Sequence, residues 1–140
     1  MYSRRAFIQA GVAGLSVAGF ASSLLAGGKG TKFKFSAPDW SLGQECKLDA
    51  VGLSKKIGFS GVQISIGHAT QGQTLTSLPL SDKNLQQQYL SAAKKAGIPL
   101  TSLCLEIMHQ NGLKSDPLGE KWLAESIPIA KALGLKVILV

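Results

Sequence analysis

Three stretches of the chain repeat one pattern of apolar and polar positions. They are SKKIGFSGVQISIG, AKKAGIPLTSLCLE and IAKALGLKVILV. Each has lysine near the end of an apolar-periodic segment, then a glycine (Gly58, Gly97 or Gly134), then a run of apolar and β-branched residues. Lysine in a last turn complements the helix dipole, and glycine takes the left-handed conformation that ends a helix. The apolar run that follows is typical of a buried parallel strand, so the pattern predicts repeated helix–strand units.

The repeat divides the chain into four strands and three helices. The predicted strands are Lys32–Ala37, Gly61–Ile66, Leu100–Ile107 and Lys136–Val140. The predicted helices are Leu48–Ile57, Asp82–Ala96 and Pro117–Leu133, with Ser81 and Asp116 as N-caps of the last two. Pro128 should bend or split the third helix, because it cannot donate to the carbonyl of Ala124. Consecutive units joined by right-handed crossovers form a parallel sheet.

Two architectures are compatible with this order of elements. One is a small open α/β sheet, and the other is the first half of a (β/α)₈ barrel, which takes about 250 residues. The last apolar run, KVILV, reaches Val140 without a covering helix, in a position where a strand should be central in its sheet. A parallel strand at the end of a chain is allowed in an open sheet, so both architectures remain open at this point.

The connections between the predicted elements differ in length at the two ends of the strands. The segments GHATQGQTLTSLPL and MHQNGLKSD follow strands and are long and polar, whereas the turns from helix to strand are short. Long loops on a rigid scaffold usually carry function. The asymmetry predicts a ligand site at the carboxyl ends of the strands.

The chain begins with a segment typical of an export signal. MYSRRAFIQAGVAGLSVAGFASSLLAGG has a positive start followed by an uncharged apolar run. Ser3, Arg4, Arg5 and Phe7 resemble the bacterial twin-arginine motif, with Gln9 where lysine is usual. We expect residues 1–28 to be a twin-arginine signal peptide and the twin-arginine translocase to be a partner during export. The mature protein would then be periplasmic or extracytoplasmic, or anchored to the membrane if the leader stays uncut.

Composition narrows the candidate partners. The chain has 15 basic and 8 acidic residues, and Arg4 and Arg5 are its only arginines. The lysines are scattered and form no basic block with interleaved aromatics, so nucleic-acid binding is not predicted. Two cysteines do not make a disulfide scaffold. Cys104 is expected to be a small core residue, and a Cys46–Cys104 bridge after export is the less favoured alternative.

Four segments together resemble one protein family. FSAPDWSLG, KKIGFSGVQISIG, YLSAAKKAGIPLTSLCLEI and LKSDPLGEKWLAESIPIAKALGLKVILV are similar to the sugar phosphate isomerase/epimerase family of xylose-isomerase-like TIM barrels. The resemblance covers Phe33–Val140. It implies an α/β fold in which residues 29–140 are the N-terminal half, about four βα units, of a (β/α)₈ barrel.

The resemblance also implies a chemistry. Members of this family are metal-dependent sugar isomerases or epimerases, in which a divalent ion (Mn, Mg, Co or Zn) and two carboxylates assist proton transfer next to a carbonyl. The family's metal-binding Glu, Asp, His and Glu belong to strands five to eight, which would follow residue 140. The resemblance therefore assigns no catalytic or metal residue here, and it leaves open whether this chain alone is an enzyme.

Four residues are expected to line a sugar or polyol site because they follow the carboxyl ends of predicted strands: Trp40, His68, Glu106 and His109. Trp40 would stack on a sugar face, and the other three would contact hydroxyl groups. Each also has a structural alternative, since Trp40 could pack a loop, the histidines could be solvated, and Glu106 could pair with a lysine. Gln63 is expected to be a polar residue of the barrel interior.

Other classes of function remain open on sequence alone. The chain could be a non-catalytic exported carbohydrate-binding or partner domain, closed by forming a homo-oligomer, or a truncated inactive fragment. A flavodoxin-like nucleotide-binding sheet is disfavoured because PDWSLGQE lacks the G-x-G-x-x-G loop. His68 and His109 lie where endonuclease-IV-like barrels carry zinc ligands, but SIGHATQG and EIMHQNG do not match the motifs of that family.

Overall fold

Four parallel strands form one sheet in the order β1-β2-β3-β4. A computed structural model describes residues 33–67 and 75–140 of the chain, and residues 34–140 make up one compact unit. The strands are β1 (Ser36–Pro38), β2 (Gly61–Ile66), β3 (Leu100–Leu105) and β4 (Ile138–Leu139). Each strand pairs in parallel with the next along the chain. The prediction of a four-stranded parallel α/β sheet is therefore confirmed.

Helices connect the strands. The helices are α1 (Asp49–Ile57), α2 (Lys83–Ala96), the short α3 (Ile107–Gln110) and α4 (Gly119–Ala132), with 3₁₀ turns at Trp40–Leu42 and Pro79–Ser81. Gly58, Gly97 and Gly134 follow α1, α2 and α4 with φ of 103°, 67° and 70°. The predicted left-handed helix ends are therefore confirmed at all three repeats.

The two faces of the sheet differ in chemistry. Val62, Ile64 and Ile66 of β2 lie in one buried cluster with Leu103 and Leu105 of β3. The same cluster contains residues of the helices, namely Ala50, Val51, Tyr89, Trp122, Ile129 and Ala130. All three long helices therefore cover this face, and the apolar core lies between them and the sheet.

The opposite face carries small polar side chains. Gln63 lies beside Ser102, and Ser65 lies beside Cys104, in the register of β2 and β3. The Gln63 amide nitrogen donates to the Ser102 hydroxyl oxygen at 2.7 Å. Because side chains alternate along a strand, these residues point away from the helices. The sheet thus has an apolar face under the helices and a polar face opposite.

A shift of register between β2 and β3 keeps each face uniform. Val62 pairs with Leu100, but the next residue, Gln63, pairs with Ser102, so β3 contributes one extra residue, Thr101. A one-residue change of register exchanges the faces of a strand. The shift therefore places Ser102 and Cys104 on the polar face and leaves Leu103 on the apolar face.

Three predicted strands are shorter than expected. β3 covers Leu100–Leu105 instead of Leu100–Ile107, because Ile107 is the first residue of α3. β1 covers Ser36–Pro38 instead of Lys32–Ala37, because its register with β2 begins at Ser36 opposite Gly61. Before that point the neighbouring chain is the turn into β2, where the Ser60 N–H donates to the Phe35 carbonyl at 2.7 Å. β4 covers Ile138–Leu139, the two residues that pair with Leu103 and Cys104.

The predicted helix boundaries also need correction. Asp82, not Ser81, caps α2, and its carboxylate accepts from the Asn84 N–H at 2.8 Å. The third long helix begins at Gly119, not Pro117, and the Asp116 carboxylate accepts from the Leu118 N–H at 2.8 Å before it. The helix runs without interruption from Gly119 to Ala132 through Pro128, so the expected split is wrong, and the alternative that Pro128 bends the helix stays a prediction. Ala124 and Pro128 are both exposed, so water can replace the missing hydrogen bond.

Replacing Gly61 with alanine is expected to lower the free energy of unfolding by about 1 to 3 kcal/mol. A Cβ at this buried start of β2 would lie 2.6 Å from Thr101 Cγ2 and 3.2 Å from the Pro99 carbonyl oxygen. Gly52→Ala is the matched control, since no atom lies within 4 Å of its added Cβ on exposed α1. It should raise stability by about 0.5 to 1 kcal/mol. Urea unfolding of both variants measures the contrast, and equal effects would contradict it.

Candidate functional site

Asp39 is the centre of a polar cluster at the carboxyl end of the sheet. It follows β1 directly, and its side chain is 0% exposed. One carboxylate oxygen accepts from the Ser65 hydroxyl at 2.6 Å. The other accepts from the Ser65 N–H at 2.8 Å and from the Cys46 N–H at 3.0 Å. A buried carboxylate needs such donors to offset its lost hydration. Asp39 therefore ties the loop after β1 to the end of β2.

Cys46 joins this cluster to the end of β3. Its backbone φ of 54° lies in the left-handed region, which non-glycine residues rarely adopt. Its thiol lies 3.9 Å from Glu106 Oε2, and Glu106 directly follows β3. Strained backbone of this kind is found often at functional sites. The loop after β1 and the end of β3 thus meet at the Cys46–Glu106 contact.

Cys104 and His109, which precede and follow Glu106 in sequence, lie close to each other. The Cys104 sulfur is 3.9 Å from His109 Nε2, and His109 is exposed on α3. Burial raises the pKa of the Cys104 thiol to about 11, and the carboxylates of Glu106, Asp39 and Glu45 add to the effect. Cys104 is therefore a neutral thiol near pH 7. It is not joined to Cys46 by a disulfide, and its prediction as a small core residue is confirmed.

A small cavity opens beside the cluster. It has a volume of about 110 Å³, and its polar lining consists of Cys46, Ser65 and Tyr89. Ile66, Gly67, Pro79, Leu80 and Leu85 complete the lining. Tyr89 is 2% exposed, and burial, Cys46 and Asp39 together raise the pKa of its phenol. The cavity therefore combines an apolar wall with a neutral hydroxyl donor.

The structure places three of the four predicted site residues at this end of the sheet. Trp40, 36% exposed, begins the 3₁₀ turn that follows β1. Glu106 is half-buried after β3, and His109 lies one turn further on. His68 lies outside the described residues, as do the leader residues Ser3, Arg4, Arg5 and Phe7. Asp39, Ser65, Cys46 and Tyr89 are site residues that the sequence analysis missed.

The pattern of the sequence contained a signal for two of the missed residues. Asp39 is the second residue after the predicted strand Lys32–Ala37 and directly precedes Trp40, a predicted site residue. Gln63 and Ser65 alternate with Val62, Ile64 and Ile66, so the sequence already marks one polar face on β2. Nothing comparable marks Cys46 or Tyr89, because the loop and the helix that carry them reach the site only through tertiary packing.

The cluster does not fit the divalent metal implied by the family resemblance. No group of three or more His, Cys, Asp or Glu side chains that could hold a metal ion occurs within residues 33–67 and 75–140. The Asp39 carboxylate, the best candidate oxygen donor, already accepts three hydrogen bonds. No step of a reaction is therefore assigned to a metal held by these residues.

The fold and the site define an α/β protein with sequentially ordered parallel strands and a polar cluster at their carboxyl ends. A scan against protein-family models and a search of curated proteins both found no match to the chain. Among the helices of the described segments, none has the length and apolar character needed to cross a membrane.

The raised pKa of Cys104 predicts a loss of stability in alkaline solution. The unfolded chain releases this proton near pH 9, whereas the folded chain keeps it until about pH 11. The free energy of unfolding should therefore fall by about 2 to 3 kcal/mol across this interval. Cys104→Ala should remove that part of the slope in urea unfolding measured from pH 8 to pH 11. Cys46→Ala is the control, and identical slopes in wild type and Cys104→Ala would refute the prediction.

Proposed function

We propose that residues 29–140 are the N-terminal half of a (β/α)₈ barrel of the xylose-isomerase-like kind and supply one wall of its sugar site. The strand order supports this proposal, because a barrel adds each parallel strand beside the preceding one. A flavodoxin-like open sheet reverses direction and has the order 2-1-3 at its start, unlike the order seen here. The polar face of the sheet would be the interior of the barrel.

One observation carries the proposal. Polar side chains from three successive strands meet at their carboxyl ends, where Asp39 binds Ser65 and Cys46 approaches Glu106. Catalytic and binding residues of (β/α)₈ enzymes lie at this end of the barrel.

The described residues would bind and orient the sugar. Trp40 is partly exposed and offers an aromatic face for stacking on the apolar side of a sugar ring. Glu106 and His109 would hydrogen-bond hydroxyl groups, and Asp39 would position the loop that carries Trp40. The reaction would be an isomerisation or epimerisation by proton transfer at a carbon next to a carbonyl. The divalent metal and the groups that move the proton would come from strands beyond residue 140.

Tryptophan fluorescence tests the proposed sugar site. The chain has two tryptophans, Trp40 at the site and Trp122 in the core. Titration with D-xylose or D-glucose should change the emission of wild type and of Trp122→Phe, which keeps Trp40. Trp40→Phe, which keeps Trp122, should show no change. An unchanged emission of Trp40 at saturating sugar would contradict the proposal.

A second candidate, a non-catalytic carbohydrate-binding domain, shares the same site. Two measurements distinguish the enzyme from the binding domain. They are the intact mass of the protein from its native host and the gene sequence past the codon of Val140. A product long enough for eight βα units should exchange deuterium from D₂O into the carbon next to the sugar carbonyl. A product that binds sugar without exchange would support the binding domain.

Export through the twin-arginine pathway is part of the proposal. It is supported by the adjacent Arg4 and Arg5 in front of an apolar run. The double variant Arg4→Lys and Arg5→Lys should keep the protein in the cytoplasm, as measured by cell fractionation. Unchanged export of that variant would rule out the twin-arginine signal.

A further inference from the structure

We propose that the amino edge of the sheet, where the strands begin, binds an anionic lipid surface. This edge is marked by seven lysines of the described residues: Lys34, Lys55, Lys56, Lys94, Lys95, Lys131 and Lys136. It lies opposite the polar cluster around Asp39, so lipid binding there does not depend on the proposed sugar-binding function. Two features support the proposal, namely the separation of charge between the two edges and the apolar side chains exposed among the lysines.

The repeated helix–strand pattern places these lysines at one edge. Five of them lie in the last turns of α1, α2 and α4, and the other two lie two residues before β1 and β4. Each helix ends where the next strand begins, so all seven belong to the amino edge. Every one of them is exposed, and none forms an ion pair with a described residue.

The acidic residues lie at the opposite edge. The described residues include all eight Asp and Glu of the chain, and these lie in the segments after strands or in the first two turns of a helix: Asp39, Glu45, Asp49, Asp82, Glu106, Asp116, Glu120 and Glu125. The one furthest along a helix, Glu125, accepts from the Leu78 N–H at 2.9 Å, in the segment that precedes α2. The amino edge therefore has seven positive charges and no carboxylate side chain among the described residues.

The helix dipoles offset only a small part of this charge. The C-terminus of a helix is equivalent to about half a negative charge. Three long helices end at the amino edge, so their dipoles compensate about one and a half of the seven positive charges. Like charges without acidic neighbours repel one another, and a negatively charged surface relieves that repulsion.

Apolar side chains are exposed among the lysines. Phe35, just before β1, is 68% exposed, Ile57 at the end of α1 is 55% exposed, and Val137 before β4 is 57% exposed. The Ser60 N–H donates to the Phe35 carbonyl, so Phe35 lies beside the turn that follows α1. Proteins that lie on a membrane combine lysines, which contact the headgroups, with aromatic and aliphatic side chains that enter the acyl boundary. The amino edge has this combination.

A lipid surface fits the amino edge better than a nucleic acid does. Arginine, the side chain best suited to grip phosphate with two hydrogen bonds, does not occur after Arg5. The chain also enters β1 from this edge, downstream of the uncharged apolar run Ala10–Ala26. A leader that stays uncut would therefore tether the protein to the membrane by the same edge.

The height of the sheet keeps the acidic edge away from the lipid. β2 and β3 have six residues each, which corresponds to a length of about 20 Å. Salt screens charges beyond about 8 Å at physiological ionic strength. The carboxylates at the far edge therefore oppose binding only weakly. The polar cluster around Asp39 would face away from the membrane and stay open to soluble ligands.

Vesicle binding tests the proposal. The full chain is titrated with vesicles of phosphatidylcholine alone and with vesicles of equal parts phosphatidylcholine and phosphatidylglycerol, and bound protein is measured by sedimentation. The affinity for the anionic vesicles should be at least about tenfold higher. This difference should disappear when salt rises from about 0.1 M to about 1 M, because the screening length falls from about 10 Å to about 3 Å. Equal binding of both vesicles at low salt, or tighter binding of a DNA duplex than of the anionic vesicles, would overturn the proposal.

Charge-matched variants test which edge binds the lipid. The double variant Lys55→Gln and Lys56→Gln removes two charges from the amino edge. The control, Lys47→Gln and Lys114→Gln, removes two charges from exposed loops that follow β1 and β3. The first should lower the affinity for anionic vesicles by about tenfold or more, and the control by less than about twofold. Equal losses in the two double variants would show that only net charge matters and would overturn the assignment to the amino edge.

An apolar variant tests insertion into the lipid surface. Phe35→Ala should lower the affinity for anionic vesicles by about fivefold, because it removes an aromatic ring from the acyl boundary. Leu113→Ala is the control, since Leu113 is 46% exposed in the loop after α3, away from the amino edge. Its affinity should stay at the wild-type value. An unchanged affinity in Phe35→Ala would overturn insertion at this edge.

Discussion

Replacing Asp39 with alanine should lower the free energy of unfolding by about 3 to 5 kcal/mol. The change removes the acceptor of the Ser65 and Cys46 N–H groups, and Asp39 and Ser65 are both buried. Each unsatisfied buried donor costs about 1 to 3 kcal/mol. Because single domains are stable by only about 5 to 15 kcal/mol, this one substitution should remove a large part of the total. Urea unfolding at pH 7 measures it.

The control for this prediction is Asp82→Ala. Asp82 is also an aspartate that accepts a backbone hydrogen bond, but it is exposed and accepts from Asn84 alone. Asp82→Ala should lower the free energy of unfolding by about 1 kcal/mol, the usual effect of removing a helix N-cap. Asp39→Asn should be less destabilising than Asp39→Ala, because its amide oxygen can accept from the N–H groups of Ser65 and Cys46 while the Ser65 hydroxyl accepts from its amide nitrogen. Equal effects of Asp39→Ala and Asp82→Ala would show that the buried cluster is not a stabilising unit.

Replacing Trp122 with alanine should lower the free energy of unfolding by about 3 to 5 kcal/mol. Trp122 is 1% exposed and belongs to the core between α4 and the sheet. Its indole N–H donates to the Leu75 carbonyl at 2.8 Å, so it also holds the chain that leads into α2. Alanine would leave a cavity and an unpaired carbonyl. Thermal and urea unfolding measure the loss.

Trp40→Ala provides the contrast between a core and a site tryptophan. Trp40 is 36% exposed, so its removal should change the free energy of unfolding by about 1 kcal/mol or less. Its effect should appear in sugar binding instead, because it supplies the stacking face. A large loss of stability in Trp40→Ala with unchanged sugar binding would return Trp40 to a purely structural role.

Local sequence signals predicted the framework of the fold well. The lysine–glycine helix ends and the apolar runs located β2 at Gly61–Ile66, and they located the ends of α1 and α2 at Ile57 and Ala96. The outer strands were predicted less well. β1 and β4 are limited by the length of the partner strand with which they can pair, and this length depends on tertiary structure.

The position of the polar cluster agrees with the end of the sheet that the sequence indicated, but the residues at its centre were not predicted. Loop lengths indicated the carboxyl ends of the strands, and Trp40, Glu106 and His109 lie there. The central role of Asp39 depends on donors from Cys46 and Ser65, which are 7 and 26 residues away in sequence. Such a contact needs the strand register and the left-handed backbone at Cys46, and neither follows from a local pattern.

The extra residue of β3, Thr101, determines which face of the sheet each later residue of β3 occupies. The residues after Thr101 keep their positions on the two faces only while Thr101 is present. Its deletion would move Ser102, Cys104 and Glu106 to the side facing the helices. Leu103 and Leu105 would then lie on the polar face of the sheet. Substitutions at Ser102 or Cys104 can accumulate one at a time, whereas loss of Thr101 changes all of them together. Homologous chains should therefore vary in the side chains of β3 more readily than in its length.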